Sequence, residues 1–414
     1  MWKPLQNDEM PVLMDKANQH EKRYDWKGAT EIYRKAFDLA FKAQDVTKAA
    51  EIQEKMGYSL FRTAFQAETN AEFMETIKQA VKTYESATEL LQKTTQDEKN
   101  AKINNSKAMQ AFASSWLEVE FEKMATLLDE WWDLKKEVLK HYEEKSDLLA
   151  VGRICNDMTE GSFKNRFHLI PDWSDLVKAT HECISLGEKA IQALSQVDNE
   201  YELARAYCWA SWYYSFAFWF KASEDRLHEM GQKSLSYSKK ALELSEKIGD
   251  DWLIAWANHN GAFTALCVDL NLTLGTKYSK KALKHGAITR DKHVLAEASG
   301  WAAGQVLGNA RLELEPEEKR EGFRKALELI QDSRHYYQVI NNPSTVIQVY
   351  SKYVDTLTEL ASLETTFEAK HALLKKAVDL GREFLAENLN EITSAVSSLS
   401  MAVWRLAQIT SIED

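Results

Sequence analysis

The chain has 414 residues, of which only 5 are Pro and 15 are Gly. Proline breaks helices and glycine weakens them, so this scarcity points to an all-helical chain. A formal net charge of −11 with no Lys/Arg-rich block argues against a nucleic-acid partner, which calls for a basic patch or stripe.

Helical periodicity and turn residues predict sixteen helices, at 26–44, 46–68, 70–94, 97–118, 119–146, 148–160, 172–196, 200–221, 224–248, 251–270, 273–288, 292–313, 317–339, 344–363, 366–387 and 391–410. Breaks are marked by Pro171-Asp172, Glu315-Pro316 and Asn341-Asn342-Pro343-Ser344. The least regular stretch is 160–171, where a subdomain boundary would fall if the single unit 1–414 has one. The most apolar stretch, 206–220, is shorter than the roughly 20 residues of a membrane helix and holds Ser211 and Ser215. No apolar signal region follows Met1. The four cysteines, Cys155, Cys183, Cys208 and Cys267, form no Cys-x-x-Cys pair, which reads as reduced, buried thiols in a cytoplasmic protein.

One phrase recurs along the chain: two polar residues, the second of them Lys, then Ala and an apolar residue. It is Tyr33-Arg34-Lys35-Ala36-Phe37 near the start and Ser238-Lys239-Lys240-Ala241-Leu242 further on. Its alanines stand at 36, 190, 241, 282, 326 and 377. Blurred copies near Ala80 or Ala87 and near Val138 fill the long gap. Units of this length mean a helix pair per repeat, because one pair cannot bury its apolar faces until the next pair stacks on it.

Four constellations could carry chemistry. Asp129-Glu130-Trp131-Trp132-Asp133 places carboxylates at i, i+1 and i+4, a pattern able to hold Mg²⁺ and a diphosphate in a helical prenyl or terpenoid synthase. A second acidic group, Asn156-Asp157-Met158-Thr159-Glu160, lacks the matching spacing. The segment 207–220 is dominated by aromatic residues. Trp209, Trp212, Tyr213 and Phe216 share one helix face there, either packed inside or lining a binding surface. Trp256, Asn258 and Asn260 sit in mid-helix, where Asn is a poor helix former. Gly300, Gly304 and Gly308 form a stripe expected to let two helices approach closely. Metalloprotease, nucleophile-elbow, Walker and dinucleotide motifs are missing, so no catalytic residue, metal ligand or cofactor site is assigned.

The segment 25–39, with Ala29, Tyr33 and Ala36 on one face, resembles the second helix of a tetratricopeptide repeat. The units are longer than the standard repeat and lack its closing Pro, and they resemble the helical sensor arrays of signalling proteins. This resemblance implies an all-α, right-handed α-α superhelix of about eight antiparallel helix pairs. It also implies a non-enzymatic scaffold or sensor that binds a peptide or protein partner in its concave groove. Asn258 and Asn260 would hold ligand backbone, beside Trp209, Trp212, Tyr213, Phe216 and Trp256. The competing expectation is a small-molecule sensor with an aromatic-lined pocket. The last residues, Ser411-Ile412-Glu413-Asp414, follow no polar capping helix, which leaves a homo-oligomeric edge open.

Overall fold

The computed structural model describes residues 9–95, 98–170, 172–218, 224–387 and 393–410. Among them are seventeen α-helices and no strand. In chain order they are α1 (Glu9–Glu21), α2 (Trp26–Lys42), α3 (Val46–Ala64), α4 (Asn70–Gln92), α5 (Lys99–Ser115), α6 (Phe121–Glu144), α7 (Leu148–Lys164), α8 (Trp173–Leu194), α9 (Glu200–Ala217), α10 (Glu224–Ile248), α11 (Asp251–Cys267), α12 (Leu272–Thr289), α13 (Lys292–Leu312), α14 (Pro316–Val339), α15 (Pro343–Leu363), α16 (Phe367–Glu387) and α17 (Thr393–Thr410). Each helix packs on the next, giving eight antiparallel pairs and a final helix, wound as a right-handed superhelix.

The recurring alanine phrase maps onto the second helix of every pair. Ala36, Ala80, Ala87, Ala190, Ala241, Ala282, Ala326 and Ala377, together with Val138, are all buried. A small side chain at that point lets the flanking backbones close in, and a neighbouring ring such as Tyr33 fills the space beside it.

The turns between helices repeat a second device. A residue with left-handed backbone is followed by an Asp or Asn that caps the next helix. Tyr24, Gln44, Ser146, Gly249, Leu270 and Arg290 have φ between 52° and 75°. The side chains that follow, Asp25, Asp45, Asp147, Asp250, Asn271 and Asp291, accept a backbone N–H in the next first turn. The left-handed residue stops one helix, and the carboxylate or amide satisfies a donor that the next would otherwise leave bare.

The first helices of the pairs form the inner layer. Helix α7 touches α9, α9 touches α11, α11 touches α13, α13 touches α15 and α15 touches α17. The inner layer is covered because the first turn of the superhelix closes on a later one. The Lys292 N–H donates to the Phe65 carbonyl at 2.7 Å, and Gln66 Nε2 donates to the Thr289 carbonyl at 2.7 Å. The Tyr24 hydroxyl accepts from the Trp252 N–H at 3.0 Å. Further along, Asn70 Nδ2 donates to the Val339 carbonyl and Asn341 Nδ2 to the Trp116 carbonyl. Described side chains of α11 are consequently buried all round the helix rather than along one stripe.

Three expectations are corrected. Helix α1 precedes the first predicted helix; its apolar pattern is weak, with Ala17 its buried residue, and Pro11 occupies the first turn where proline is tolerated. Helix α7 runs through Gly161 to Lys164 instead of stopping at 160, because Gly161 leaves room for Trp131: a Cβ there would stand 2.6 Å from the indole. The glycine stripe serves close approach unevenly. A Cβ at Gly300 would meet Ser333 Oγ at 3.1 Å and one at Gly308 would meet Leu272 at 3.7 Å, whereas Gly304 faces nothing within 4 Å. The irregular stretch resolves into the end of α7 and a 3-10 turn, Arg166–Leu169, packed on α6, α7 and α15. Its Phe163 and Phe167 rings both lie against Trp212. Residues 219–221, predicted to close the aromatic helix, lie outside the described residues.

Candidate functional site

A cavity of about 560 Å³ lies between the inner helices of the first half of the chain. That size falls in the ordinary range of ligand pockets, roughly 300–1,000 Å³. Helix α3 supplies Glu54, Tyr58 and Arg62, α5 supplies Asn105, α6 Lys135, α7 Asp157, Glu160 and Lys164, α9 Arg205, and α11 Trp252. These residues come from successive pairs, mostly from the inner helices, so stacking the pairs gathers them.

The polar wall is one ion-pair network. Arg205 Nη2 donates to Glu160 Oε2 at 2.7 Å and to Asp157 Oδ1 at 3.3 Å, and its Nη1 donates to Glu202 Oε2 at 2.8 Å. Lys164 Nζ donates to Glu160 Oε1 at 2.6 Å. Lys135 Nζ bridges Asn105 Oδ1 at 2.9 Å and Asp157 Oδ2 at 3.1 Å. Burial alone would raise the Glu160 carboxyl, but Lys164 and Arg205 outweigh it and hold the group down at about 2. The acid is therefore ionised at neutral pH, and both cations have a fixed partner.

Arg62 joins this network to the superhelical closure. Its guanidinium lies between Trp26 and Trp252, 5.0 Å and 4.8 Å from the two ring centroids, and Nη2 donates to Asp291 Oδ2 at 3.3 Å. The same carboxylate oxygen accepts from Trp252 Nε1 at 3.2 Å. A planar cation between two indoles keeps its edge free for hydrogen bonds, so one side chain lines the cavity and fastens the distant turn.

The seven residues singled out from the sequence are brought together, behind the cavity wall. Trp209, Trp212, Tyr213, Trp256, Asn258 and Asn260 are buried and Phe216 is half-buried. Phe163 is the common neighbour of the three tryptophans on the α7 side, 5.1 Å from Trp209, 4.8 Å from Trp212 and 5.5 Å from Trp256. The Tyr213 hydroxyl donates to the Thr159 carbonyl at 2.7 Å. Asn258 Nδ2 donates to its own helix at Ile254, and Asn260 Nδ2 donates to the Cys208 carbonyl across to α9. Asn260 thus ties α11 to α9 within the core, while Asn258 satisfies a carbonyl of its own helix.

The two acidic groups line different cavities. Asp129 sits on the outside beside Arg166, and Asp157 and Glu160 face the central cavity with Lys and Arg as partners. Carboxylates already paired with cations and divided between two cavities do not make a diphosphate–Mg²⁺ site. No group of His, Cys, Asp and Glu able to hold a metal is found among the described residues. No helix among them is long and apolar enough to cross a membrane. All four cysteines are buried and free, and burial pushes the thiols of Cys155, Cys183 and Cys267 up to about 12.

The sequence reading missed Arg62, Lys164 and Arg205. Nothing in the local sequence pattern of Arg62 or Arg205 separates it from a solvated helix charge. The available signal was weak: Glu160 and Lys164 flank Phe163 at an i, i+4 spacing on a strongly apolar helix.

The fold is that of a tetratricopeptide-like α-solenoid. The chain matches no protein-family model and is not detectably similar to any curated protein. Among solved structures it is similar to a Rap protein complexed with Competence and Sporulation Factor, at 12% identity over 98% of both chains with a TM-score of 0.51. It is more loosely similar to a STAND protein, a signal transduction ATPase with a tetratricopeptide repeat sensor, from Pyrococcus horikoshii. There the identity is 13%, covering 92% of this chain and 52% of that one, with a TM-score of 0.45.

Proposed function

We propose that this protein is a sensor or scaffold that binds a short peptide, or an extended segment of a protein partner, in the central cavity. The observation that carries this reading is the cavity itself. Inward residues of α3, α5, α7 and α9 converge on it, and its wall mixes rings with ordered charges. Such a wall suits a chain segment that has both backbone polar groups and side chains. The Rap protein of the same fold was solved with Competence and Sporulation Factor bound, which makes ligand binding by a solenoid of this shape a reasonable model. In this reading Trp209, Trp212, Tyr213, Phe216, Trp256, Asn258 and Asn260 support the cavity from behind, and Trp252 carries that support to its surface. A non-enzymatic role fits the absence of catalytic motifs from the sequence. Four free thiols suit a reducing compartment such as the cytoplasm.

A peptide array probed with the wild-type protein and with the double variant Lys55→Glu, Arg153→Glu tests this. Both positions line the cavity and are exposed, and circular dichroism checks that the variant folds, since Arg153 also pairs with Glu202. Peptides retained by the wild type should be lost or re-sorted by charge in the variant. An identical set of bound peptides would place binding elsewhere on the surface. Stabilisation by small metabolites, with no peptide retained, would favour the small-molecule sensor instead.

A further inference from the structure

One end of the cavity is less completely satisfied than the rest. Glu54 Oε1 and the Tyr84 hydroxyl are both buried, and neither has a hydrogen-bond partner within the protein. Tyr84 is only 2% exposed, and both residues line the cavity. A buried polar atom without a partner carries a desolvation penalty, and the two line one cavity, near enough for the Glu54 charge to act on the Tyr84 phenol, so this wall suits a ligand group that satisfies both.

The groups around them define what fits. On its own helix Glu54 has Glu51 and Tyr58 nearby, while α5 presents Lys102 and Asn105, α6 presents Lys135 and α7 presents Asp157. The two lysines are engaged, Lys102 with Glu51 at 3.2 Å and Lys135 with Asp157 at 3.1 Å. Asn105 hydrogen-bonds the Glu54 carboxyl, which leaves Oε1 as its open acceptor. Tyr84 offers a phenol oxygen that can accept and a proton that can be donated. An acceptor carboxylate beside a phenol matches a primary ammonium, which has three donors and no acceptor.

We propose that Glu54 and Tyr84 form a seat for a primary ammonium group of the ligand. The α-ammonium of a peptide's amino terminus fits best. Its N–H groups reach Glu54 Oε1 and the phenol oxygen, and the adjacent carbonyl takes the phenol proton. This inference rests on the cavity reading above and adds its polarity, with the amino terminus lodged between α3 and α4 and the rest of the peptide running toward Arg205.

Burial pushes the Glu54 carboxyl up to about 7, so it is partly protonated at neutral pH. An ammonium favours the ionised form and lowers that value. Binding therefore releases a proton near neutrality, and affinity falls as the pH drops from 8 to 6.

The test uses two probes on the full chain: a mixture of random pentapeptides with free amino termini, and the same mixture acetylated at the amino terminus. Spermidine serves as a third. Binding is read by thermal shift and calorimetry at pH 6 and pH 8, for wild type, Glu54→Gln and Tyr84→Phe. The free mixture should bind the wild type about tenfold more tightly than the acetylated one, with a several-fold loss at pH 6. Glu54→Gln should erase both differences while still binding the acetylated mixture, which also shows that it folds. Displacement of the peptides by spermidine would keep the ammonium seat but give it to a free amine. Equal binding of the two mixtures, or an unchanged Glu54→Gln, overturns the seat and leaves the cavity reading intact. Failure of both mixtures to bind the wild type contradicts the cavity reading, and the seat with it.

Discussion

Arg62 Nη2 lies 3.3 Å from Asp291 Oδ2, across 229 residues of sequence. Both side chains are buried, and Asp291 also caps α13 and accepts from Trp252 Nε1. Removing the carboxylate strands a buried guanidinium and opens a helix cap at once. Asp291→Ala should therefore cost about 3–5 kcal/mol, the range for breaking a buried pair from one side. Urea unfolding monitored by circular dichroism measures it, and a loss below about 1 kcal/mol would show that the closure contributes little.

Two glycines should respond in opposite directions. Gly161→Ala drives a methyl into the rigid, buried ring of Trp131, and overpacking of this kind costs typically 1–3 kcal/mol. Gly304→Ala enters open space in mid-helix and should gain about 0.5–1 kcal/mol from reduced backbone entropy. Melting temperatures of the two variants check the contrast.

The repeat phrase was readable because it is local. Ala29, Tyr33 and Ala36 lie within one helix, and the same alanine recurs at 190, 241, 282, 326 and 377, so the later pairs could be counted before the shape was known; between Ala36 and Ala190 the copies are blurred, with Val138 in one of them, and the count there was not readable. The closure was not readable. No pattern around Arg62 points to Asp291, and the pairing exists only because the superhelix comes round to meet itself. That closure is also why the aromatic face of α9 lies inside: Trp209 and Trp212 look alike in sequence whether the inner surface is open or covered. The cavity residues were obscured for a related reason. Each inner helix contributes only a few of them, and a lone Arg205 resembles any solvated charge until stacking sets it beside Glu160.

Trp209 should behave as a core residue. Trp209→Ala removes a ring packed on Phe163 and Trp256 and should cost about 3–5 kcal/mol of stability. At a temperature where the variant remains folded, its affinity for a selected peptide should change less than that of Arg205→Ala. Calorimetry on the two variants decides between support and contact.

Acid should weaken the ion-pair network of the cavity. The folded Glu160 carboxyl lies at about 2, below its ordinary value of 4.5. Its stabilisation is complete above about 4.5 and is lost as the pH falls toward 2. Glu160→Gln, which lacks this titration, should show a flatter loss of stability across that window. Equally steep curves for both proteins would assign the acid sensitivity to other carboxylates.

Hydrogen–deuterium exchange with a selected peptide tests the binding site most directly. If the peptide occupies the central cavity, added protection falls on the inner helices α3, α5, α7 and α9, and the outer helices α8 and α10 exchange as before. Protection confined to the outer helices, with the inner ones unchanged, would contradict it.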